Sequence, residues 1–197
     1  MEHTHKLVRE IVEHYRTHPE LLRRQGPTFL QLEIDDYWLH FWGDARSKAP
    51  TMIAAQAHTH HRDFSSIIVH GAINNRIIKM VEAEPEKAQF AEYLLVGGSA
   101  MSASTCQPTG KFLNSVHEAT MRYERGQMYD MVADSWHETI FMEQSITLLQ
   151  LKGPVVPRYI AWPAKTLPEK ATLKWVGVSH EDALARIDGL LEMAGVK

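Results

Sequence analysis

A closely spaced histidine pair lies in the segment AQAHTHHRDF. His58 and His60 are two residues apart, so on a β-strand both imidazoles project from the same face. They could then occupy adjacent positions around one metal ion, and two inward-facing imidazoles are costly to bury without a shared partner. By the same alternation His61 faces the other way and is excluded from the site. The alternative interpretation is an exposed histidine pair on an edge strand.

The central part of the chain has the pattern of short β-strands. Segments rich in β-branched and aromatic residues follow one another from Phe29 onwards, separated by turn-forming residues such as Asn74, Asn75 and Gly126. Many short strands at this spacing, without helices between them, predict an antiparallel sandwich or barrel. The small, polar segment 98–110 is predicted to be a long loop.

Helices are predicted on both sides of the strand region. Residues 1–26 carry apolar residues at helical spacing, and Pro19 divides them into two short helices. Residues 179–195 form a C-terminal helix, with Ser179 as its N-cap and Gly195 at its C-terminal cap. No internal repeat or linker divides the chain, so residues 1–197 are predicted to form a single domain.

Composition narrows the choice of partners and compartment. The 197 residues fit one domain, and 44% are hydrophobic, as in ordinary globular proteins. The formal net charge of −3 and the scattered basic residues argue against a nucleic-acid partner. The sequence has no secretory signal and no run of about 18 apolar residues, so we expect a cytoplasmic protein without a membrane partner. Cys106, the only cysteine, is interpreted as a bystander thiol.

Part of the strand region resembles the first motif of the cupin superfamily, G-x5-H-x-H-x3,4-E-x6-G. His58, His60 and Gly71 have the spacing of this motif if Phe64 occupies its acidic position. Met52 stands where the motif opens with glycine. The chain therefore keeps the two histidines of the motif and lacks its carboxylate.

The second cupin motif, G-x5-P-x-G-x2-H-x3-N, is matched by Gly126 and His137, whereas its proline, second glycine and asparagine are replaced. The resemblance covers residues 29–162. It implies an all-β fold of the cupin type, a double-stranded β-helix or jelly-roll barrel. It also implies a divalent metal held by His58, His60 and His137.

The missing carboxylate bears on the chemistry of the metal. Phe64 cannot ligate, and Asp63 should point away from the site unless a bulge re-aims it. Three neutral imidazoles leave open coordination positions, as in the three-histidine cupins that include the iron(II)-dependent thiol dioxygenases. The resemblance thus implies Fe(II), with zinc, manganese or nickel as alternatives. Residues 145–154 lack the catalytic tyrosine and histidine of those dioxygenases, so cysteine is not assigned as the substrate.

Three residues are candidates for binding a small-molecule substrate. On alternation, Gln56 shares the inward face of the histidine pair and could hydrogen-bond a ligand of the metal. Arg76 is the cation best suited to bind a substrate carboxylate in bidentate fashion, with a solvated edge arginine as the alternative. His117 lies on a strand face with apolar members, which is predicted to point to the core.

Two tyrosines are candidates for catalysis. Tyr123 shares the strand face of His117, and Tyr129 lies eight residues before His137. Either hydroxyl could act as a general acid or base near the metal. A structural aromatic residue is the alternative for Tyr123.

Three functions are consistent with these residues. The leading hypothesis is a non-haem iron(II) dioxygenase or oxidase of a small polar metabolite, which uses O₂. The second is a non-oxidative metal cupin, an isomerase, lyase or hydrolase with the metal as Lewis acid. The third is a ligand-binding cupin without turnover. By resemblance to the cupins, we also expect a homodimer.

Overall fold

The structure is a computed structural model of the chain. It describes residues 1–19, 22–24, 29–43, 57–96, 104–141, 144–166, 171–173 and 179–196. Its two helices are α1 (Glu2–Thr17) and α2 (His180–Ala194). Short 3₁₀ turns occur at Pro85–Lys87 and Ala164–Thr166.

Twelve strands make up most of the described chain. They are β1 (Leu22–Arg24), β2 (Phe29–Ile34), β3 (Tyr37–Trp42), β4 (Asp63–His70), β5 (Ala72–Glu82), β6 (Phe90–Val96), β7 (Ser104–Glu124), β8 (Met128–Met131), β9 (Trp136–Phe141), β10 (Ser145–Lys152), β11 (Tyr159–Pro163) and β12 (Ala171–Leu173). The first sheet has the order β1-β2-β3-β10-β4-β8. The second has the order β11-β6-β7-β5-β9, and β12 pairs with β7. All the pairings among the described strands are antiparallel, so the predicted all-β fold is confirmed, with its strands in two sheets.

The central strands of the first sheet are buried on both faces. Leu39 and Phe41 of β3 belong to a core cluster together with residues of both helices, such as Ile11 and Ile187. The alternate residues of β3 face the other way, towards a cavity that is also lined by residues of the second sheet. Helices, first sheet and second sheet therefore form successive layers, and β2, β3 and β10 are buried along most of their length.

The C-terminal helix begins and ends where the sequence predicts. The Ser179 hydroxyl accepts a hydrogen bond from the backbone N–H of Asp182 at 3.0 Å. Gly195 adopts the left-handed conformation, with φ of 69°, and its N–H bonds back to the last turn. These caps satisfy backbone groups that a helix end leaves unpaired.

Two local predictions are wrong. Among the described residues that precede β2, the only α-helix is α1, and Leu22–Arg24 pairs with β2 as a strand in place of the second predicted helix. The described part of the predicted loop 98–110 begins at residue 104 and is strand throughout, since β7 pairs there with β6 and β12. Small polar residues lack strong strand preference, and pairing on both sides decides their conformation. Within the described residues, no helix is both long and apolar enough to cross a membrane.

Candidate metal centre

The three predicted histidine ligands are brought together by backbone pairing. The extended segment 57–60 joins the two edge strands of the second sheet, because His58 forms bridges to His137 of β9 and to Ile160 of β11. The His58 and His137 backbones exchange hydrogen bonds of 2.9 and 3.0 Å. His60 is anchored by its N–H to the carbonyl of Ala133 at 2.8 Å. Extended backbone over 57–60 directs both side chains of the pair to one side, as the spacing predicts.

The three imidazoles converge on one point. One ring nitrogen from each of His58, His60 and His137 lies within 4.8 Å of the others. The Nε2 atoms of His60 and His137 are 2.8 Å apart. All three side chains are at most 6% exposed. Buried ring nitrogens that face each other at this distance need a shared proton or a shared cation, and a divalent metal satisfies all three at once.

Burial keeps the imidazoles of His60 and His137 neutral. It lowers the pKa of His137 to about 4, with a smaller effect from the charge of Arg158. The pKa of His60 lies well below its usual value of 6.5, first because of burial and then because His137 and His58 are close. Neutral imidazole is the form that binds a metal, so the centre is ready for ligation at neutral pH.

The second ring nitrogens of two of these histidines lack hydrogen-bond partners among the described residues. Nδ1 of His60 and Nδ1 of His137 are buried without a hydrogen-bond partner among the described residues. A ligating imidazole usually donates this N–H to a carboxylate, carbonyl or water. The three imidazoles are suitable ligands for a divalent metal, but among the described residues two of them lack a hydrogen-bond acceptor for the second ring nitrogen.

A carboxylate does not join the cluster. Phe64 is buried and packs edge-on against the His60 ring, with centroids 4.6 Å apart. Asp63 makes a different contact, because its Oδ1 accepts a hydrogen bond from the backbone N–H of Ala133 at 2.8 Å. Within the described residues the centre is therefore three neutral nitrogens.

A cavity between the two sheets contains this centre. Six aromatic rings other than the three histidines, one arginine and several polar groups line it: Phe29, Gln31, Trp38, His40, Trp42, His58, His60, Phe64, Tyr129, His137, Thr139, Leu149 and Arg158. The free volume inside the cavity is about 40 Å³. This is small beside the roughly 300–1,000 Å³ of pockets that bind drug-sized ligands.

One of the two candidate tyrosines reaches the cavity. Tyr129 lines it, whereas Tyr123 lies behind and stacks on the Tyr129 ring, with centroids 4.5 Å apart and planes at 27°. Burial raises the pKa of Tyr129, so its hydroxyl stays protonated at neutral pH. Of the two, only Tyr129 lines the cavity, and its hydroxyl is close to the side chains of Ser66 and Asn75.

Two of the three predicted substrate-binding residues, Arg76 and His117, are not among the residues that line the cavity. Arg76 is the neighbour of Glu138 across β5 and β9, one residue from His137, so alternation directs it to the opposite face. There it forms ion pairs with Glu118 and Glu138. His117 is exposed. Gln56 lies outside the described residues.

Two residues of the cavity that can carry a positive charge, His40 and Arg158, are not among those predicted for this site. The signal for His40 was available, because strict alternation of Trp38, His40 and Trp42 places it on one strand face with two aromatic residues. Arg158 precedes β11, and nothing in the local sequence predicts its approach to the histidines.

The fold and the site together define a two-sheet β-sandwich with a buried three-histidine centre between its sheets. No protein-family model matches this sequence, and no curated protein matches it. Among solved structures, the chain is similar to hydroquinone 1,2-dioxygenase PnpCD in complex with Cd2+ and 4-hydroxybenzonitrile. The identity is 16% and the TM-score 0.32, over 62% of this chain and 63% of that one.

A second similar structure is the hydroquinone 1,2-dioxygenase from Sphingomonas sp. TTNP3 with 4-hydroxybenzoate bound. The identity is 12% and the TM-score 0.32, over 62% of this chain and 64% of that one. The chain thus spans less than two thirds of the length of both structures. Similarity at this level does not establish the function of this chain.

Proposed function

We propose that this protein is a metal-dependent enzyme that uses O₂ to oxidise a small polar metabolite at iron(II) held by His58, His60 and His137. The observation that carries this proposal is the convergence of three buried imidazoles without a carboxylate among the described residues. Iron(II) in such a site keeps its full double charge and open coordination positions, which suit an anionic substrate together with dioxygen.

The chain contributes charge, shape and a proton donor around this centre. Arg158 is the one side chain with a fixed charge among the described residues that line the cavity. The cavity therefore favours an anionic group on the substrate. The aromatic walls exclude water from the substrate, which strengthens the interactions of every polar group that remains inside.

Tyr129 is suited to stabilise charge that develops on the substrate. Its pKa is raised by burial, so the phenol Oη keeps its proton and can donate a hydrogen bond at neutral pH. Stacking on Tyr123 fixes the orientation of the ring. A donor that is held in place before the reaction costs little reorganisation during it.

A non-oxidative reaction is the second candidate, and Tyr129 is the observation that favours it. A protonated phenol next to a Lewis-acidic metal is what a lyase or isomerase needs to stabilise an oxyanion. Such an enzyme works without oxygen and accepts manganese or zinc.

The first test is elemental analysis of protein purified without an affinity tag. We expect near-stoichiometric iron in the wild type and loss of the metal in His58→Ala and His137→Ala. His3→Ala is the matched control, because His3 is exposed on α1 and should leave the metal content unchanged. Absence of metal after anaerobic reconstitution would contradict the proposal.

The second test separates oxidation from Lewis-acid chemistry. Iron-loaded protein is mixed with a panel of small anionic metabolites, and oxygen consumption is followed with an electrode. We expect uptake that depends on substrate and is absent in His137→Ala. Equal turnover without oxygen, or with manganese in place of iron, would establish the second candidate instead.

A further inference from the structure

The C-terminal part of β7 has a neighbouring strand on one side only. Strand β6 pairs with β7 between Thr105 and Leu113. Beyond Leu113, β7 pairs with β5 as far as Glu124. Among the described residues, β5 is the single partner of this part of the strand. No described strand therefore covers the side of β7 opposite β5 over residues 117–123, a segment that we call the open edge.

Side-chain amides cap the backbone at both ends of the open edge. Before it, Oε1 of Gln89 accepts a hydrogen bond from the backbone N–H of Ser115 at 2.8 Å. After it, Oε1 of Gln127 accepts a hydrogen bond from the backbone N–H of Glu124 at 2.7 Å. Between the two caps, none of the described residues bonds to the outward backbone groups. The middle of the edge is thus left for solvent or for another strand.

The backbone groups of three residues point outwards along the open edge. The N–H and C=O groups of alternate residues point to opposite sides of a strand, so the outward direction of Glu124 is repeated at every second residue before it. These residues are Glu118, Thr120 and Arg122. A one-residue bulge before the edge reverses the alternation, which is why Ser115 also points outwards.

The open edge lacks the features that usually protect an exposed strand. Natural proteins place lysine or proline on such edges, which keeps other strands from pairing there. The sequence HEATMRY of residues 117–123 contains neither residue type. Apolar side chains accompany the open backbone, because Val116 and Met121 are 55% and 44% exposed. An edge of this kind is a template for pairing with another chain.

The sequence of the open edge is complementary to itself. If two copies pair antiparallel about a two-fold axis at Thr120, Glu118 of each copy lies directly opposite Arg122 of the other. Ala119 then lies opposite Met121. Opposite charges directly across an antiparallel pair are stabilising. The side chains of Glu118 and Arg122 are 39% and 52% exposed, so both are accessible to a second copy.

We propose that the open edge of β7 pairs with the same edge of a second copy of this chain, antiparallel and centred on Thr120. The second sheets of the two molecules then form one continuous sheet, and both copies use the same surface. Moving the axis by one residue to Met121 places Glu118 opposite Glu124, so charge favours the register centred on Thr120. None of residues 117–123 lines the metal cavity, and the inference is therefore independent of the proposed function.

Sedimentation velocity of the full chain over a concentration series tests the interface. We expect a wild-type dimer that dissociates on dilution. Glu118→Arg and Arg122→Glu each place like charges opposite one another, so each variant alone should have a dimer Kd at least about tenfold higher. An equimolar mixture of the two variants should regain the wild-type Kd, because each copy then faces the opposite charge. Lys87→Glu, at an exposed cation of the 3₁₀ turn, should match the wild type.

Cross-linking tests the register. Thr120 lies opposite itself in the proposed pair, so Thr120→Cys should form a disulfide-linked dimer with copper phenanthroline as oxidant, seen on a non-reducing gel. Val116→Cys is the matched control, because position 116 is exposed on the same strand but lies opposite position 124. The native Cys106 is 1% exposed and should not react.

Each outcome supports or overturns the inference. A wild-type protein that is monomeric at every concentration overturns it. A dimer that tolerates both charge reversals, or that cross-links Val116→Cys as readily as Thr120→Cys, forms through another surface and overturns it as well. A folding defect cannot imitate the expected result, because misfolded variants would not regain dimerisation on mixing. Metal content in the wild type reports on the proposed function separately.

Discussion

The ring of Phe64 lies edge-on to the imidazole of His60, with centroids 4.6 Å apart and planes at 67°. This is the position at which the resembling cupin motif carries a glutamate. The contact replaces a charged ligand by an apolar one and leaves three neutral nitrogens around the predicted metal. Whether the centre contains an anionic ligand therefore depends on the side chain at position 64.

Replacing Phe64 by glutamate should strengthen metal binding. A carboxylate beside His60 offers an anionic fourth ligand, and we expect the Kd for zinc to fall by about tenfold or more. Competition with a chromophoric chelator measures the change. Phe64→Gln is the matched control, since it has the same shape without the charge. Equal zinc affinity of the two variants would show that position 64 does not reach the metal.

Stability of the metal-free protein should fall as the pH is lowered through the range from about 6.5 to about 4. Burial lowers the pKa of His40 to about 3 and that of His137 to about 4, whereas an unfolded histidine titrates near 6.5. In this window the unfolded chain binds more protons, so each buried histidine removes about 1.4 kcal/mol of unfolding free energy per pH unit. Above pH 6.5 its contribution is fully present.

Urea denaturation at a series of pH values measures this slope. His40→Phe removes one of the buried titrating groups, so its unfolding free energy should depend on pH less steeply by about 1.4 kcal/mol per unit. His3→Gln, at an exposed position, should follow the wild type. If the unfolding free energies of His40→Phe and the wild type depended on pH equally, His40 would have the same pKa in the native and the unfolded protein.

Cys106 should resist thiol reagents in the native protein. Its side chain is 1% exposed in a cluster with Tyr93 and Ile160, and burial raises its pKa to about 11. At pH 8 the reagent cannot reach the buried sulfur, and the thiol is not ionised to the reactive thiolate. We expect reaction with Ellman's reagent to be about 100-fold slower than in guanidinium chloride. Fast reaction under native conditions would place the thiol at the surface.

Alanine at Gly71 should destabilise the protein severely. Gly71 has φ of 72°, and a Cβ there would lie 2.4 Å from the carbonyl oxygen of Gln144. Backbone must move to admit it, and we expect a loss of about 3 kcal/mol or more. Gly110→Ala is the control, because Gly110 also has positive φ but nothing within 4 Å, so only the conformational cost of about 1 kcal/mol applies. Thermal unfolding compares the two, and similar losses would contradict the steric argument.

Local patterns predicted much of the fold. Strands such as Phe29–Ile34 and Tyr37–Trp42 begin and end where their β-branched and aromatic residues do. The capping residues Ser179 and Gly195 likewise locate the last helix, because a cap is a local interaction. The strand character of residues 104–110 could not be read from their composition, since it depends on pairing with β6 and β12.

The residues of the site likewise include some that local sequence predicted and some that it did not. Extended backbone is enough to place His58 and His60 side by side, whereas His137 was included only through the cupin motif. Arg158 and His40 come to the cavity from distant strands, and their approach depends on the packing of two sheets. Arg76 failed as a cavity residue for a local reason, because it lies one strand position off the inward face that carries His137.

His60 and His137 are 77 residues apart in the chain, and the segment that carries the histidine pair is held by strands formed much later in the sequence. Closing so long a loop is slow and entropically costly. A nascent or partly folded chain therefore presents only a two-histidine site, with correspondingly weak affinity. The full three-histidine site forms only when β9 docks, so a metal binds the folded protein more tightly than a partly folded chain. A bound metal therefore opposes unfolding.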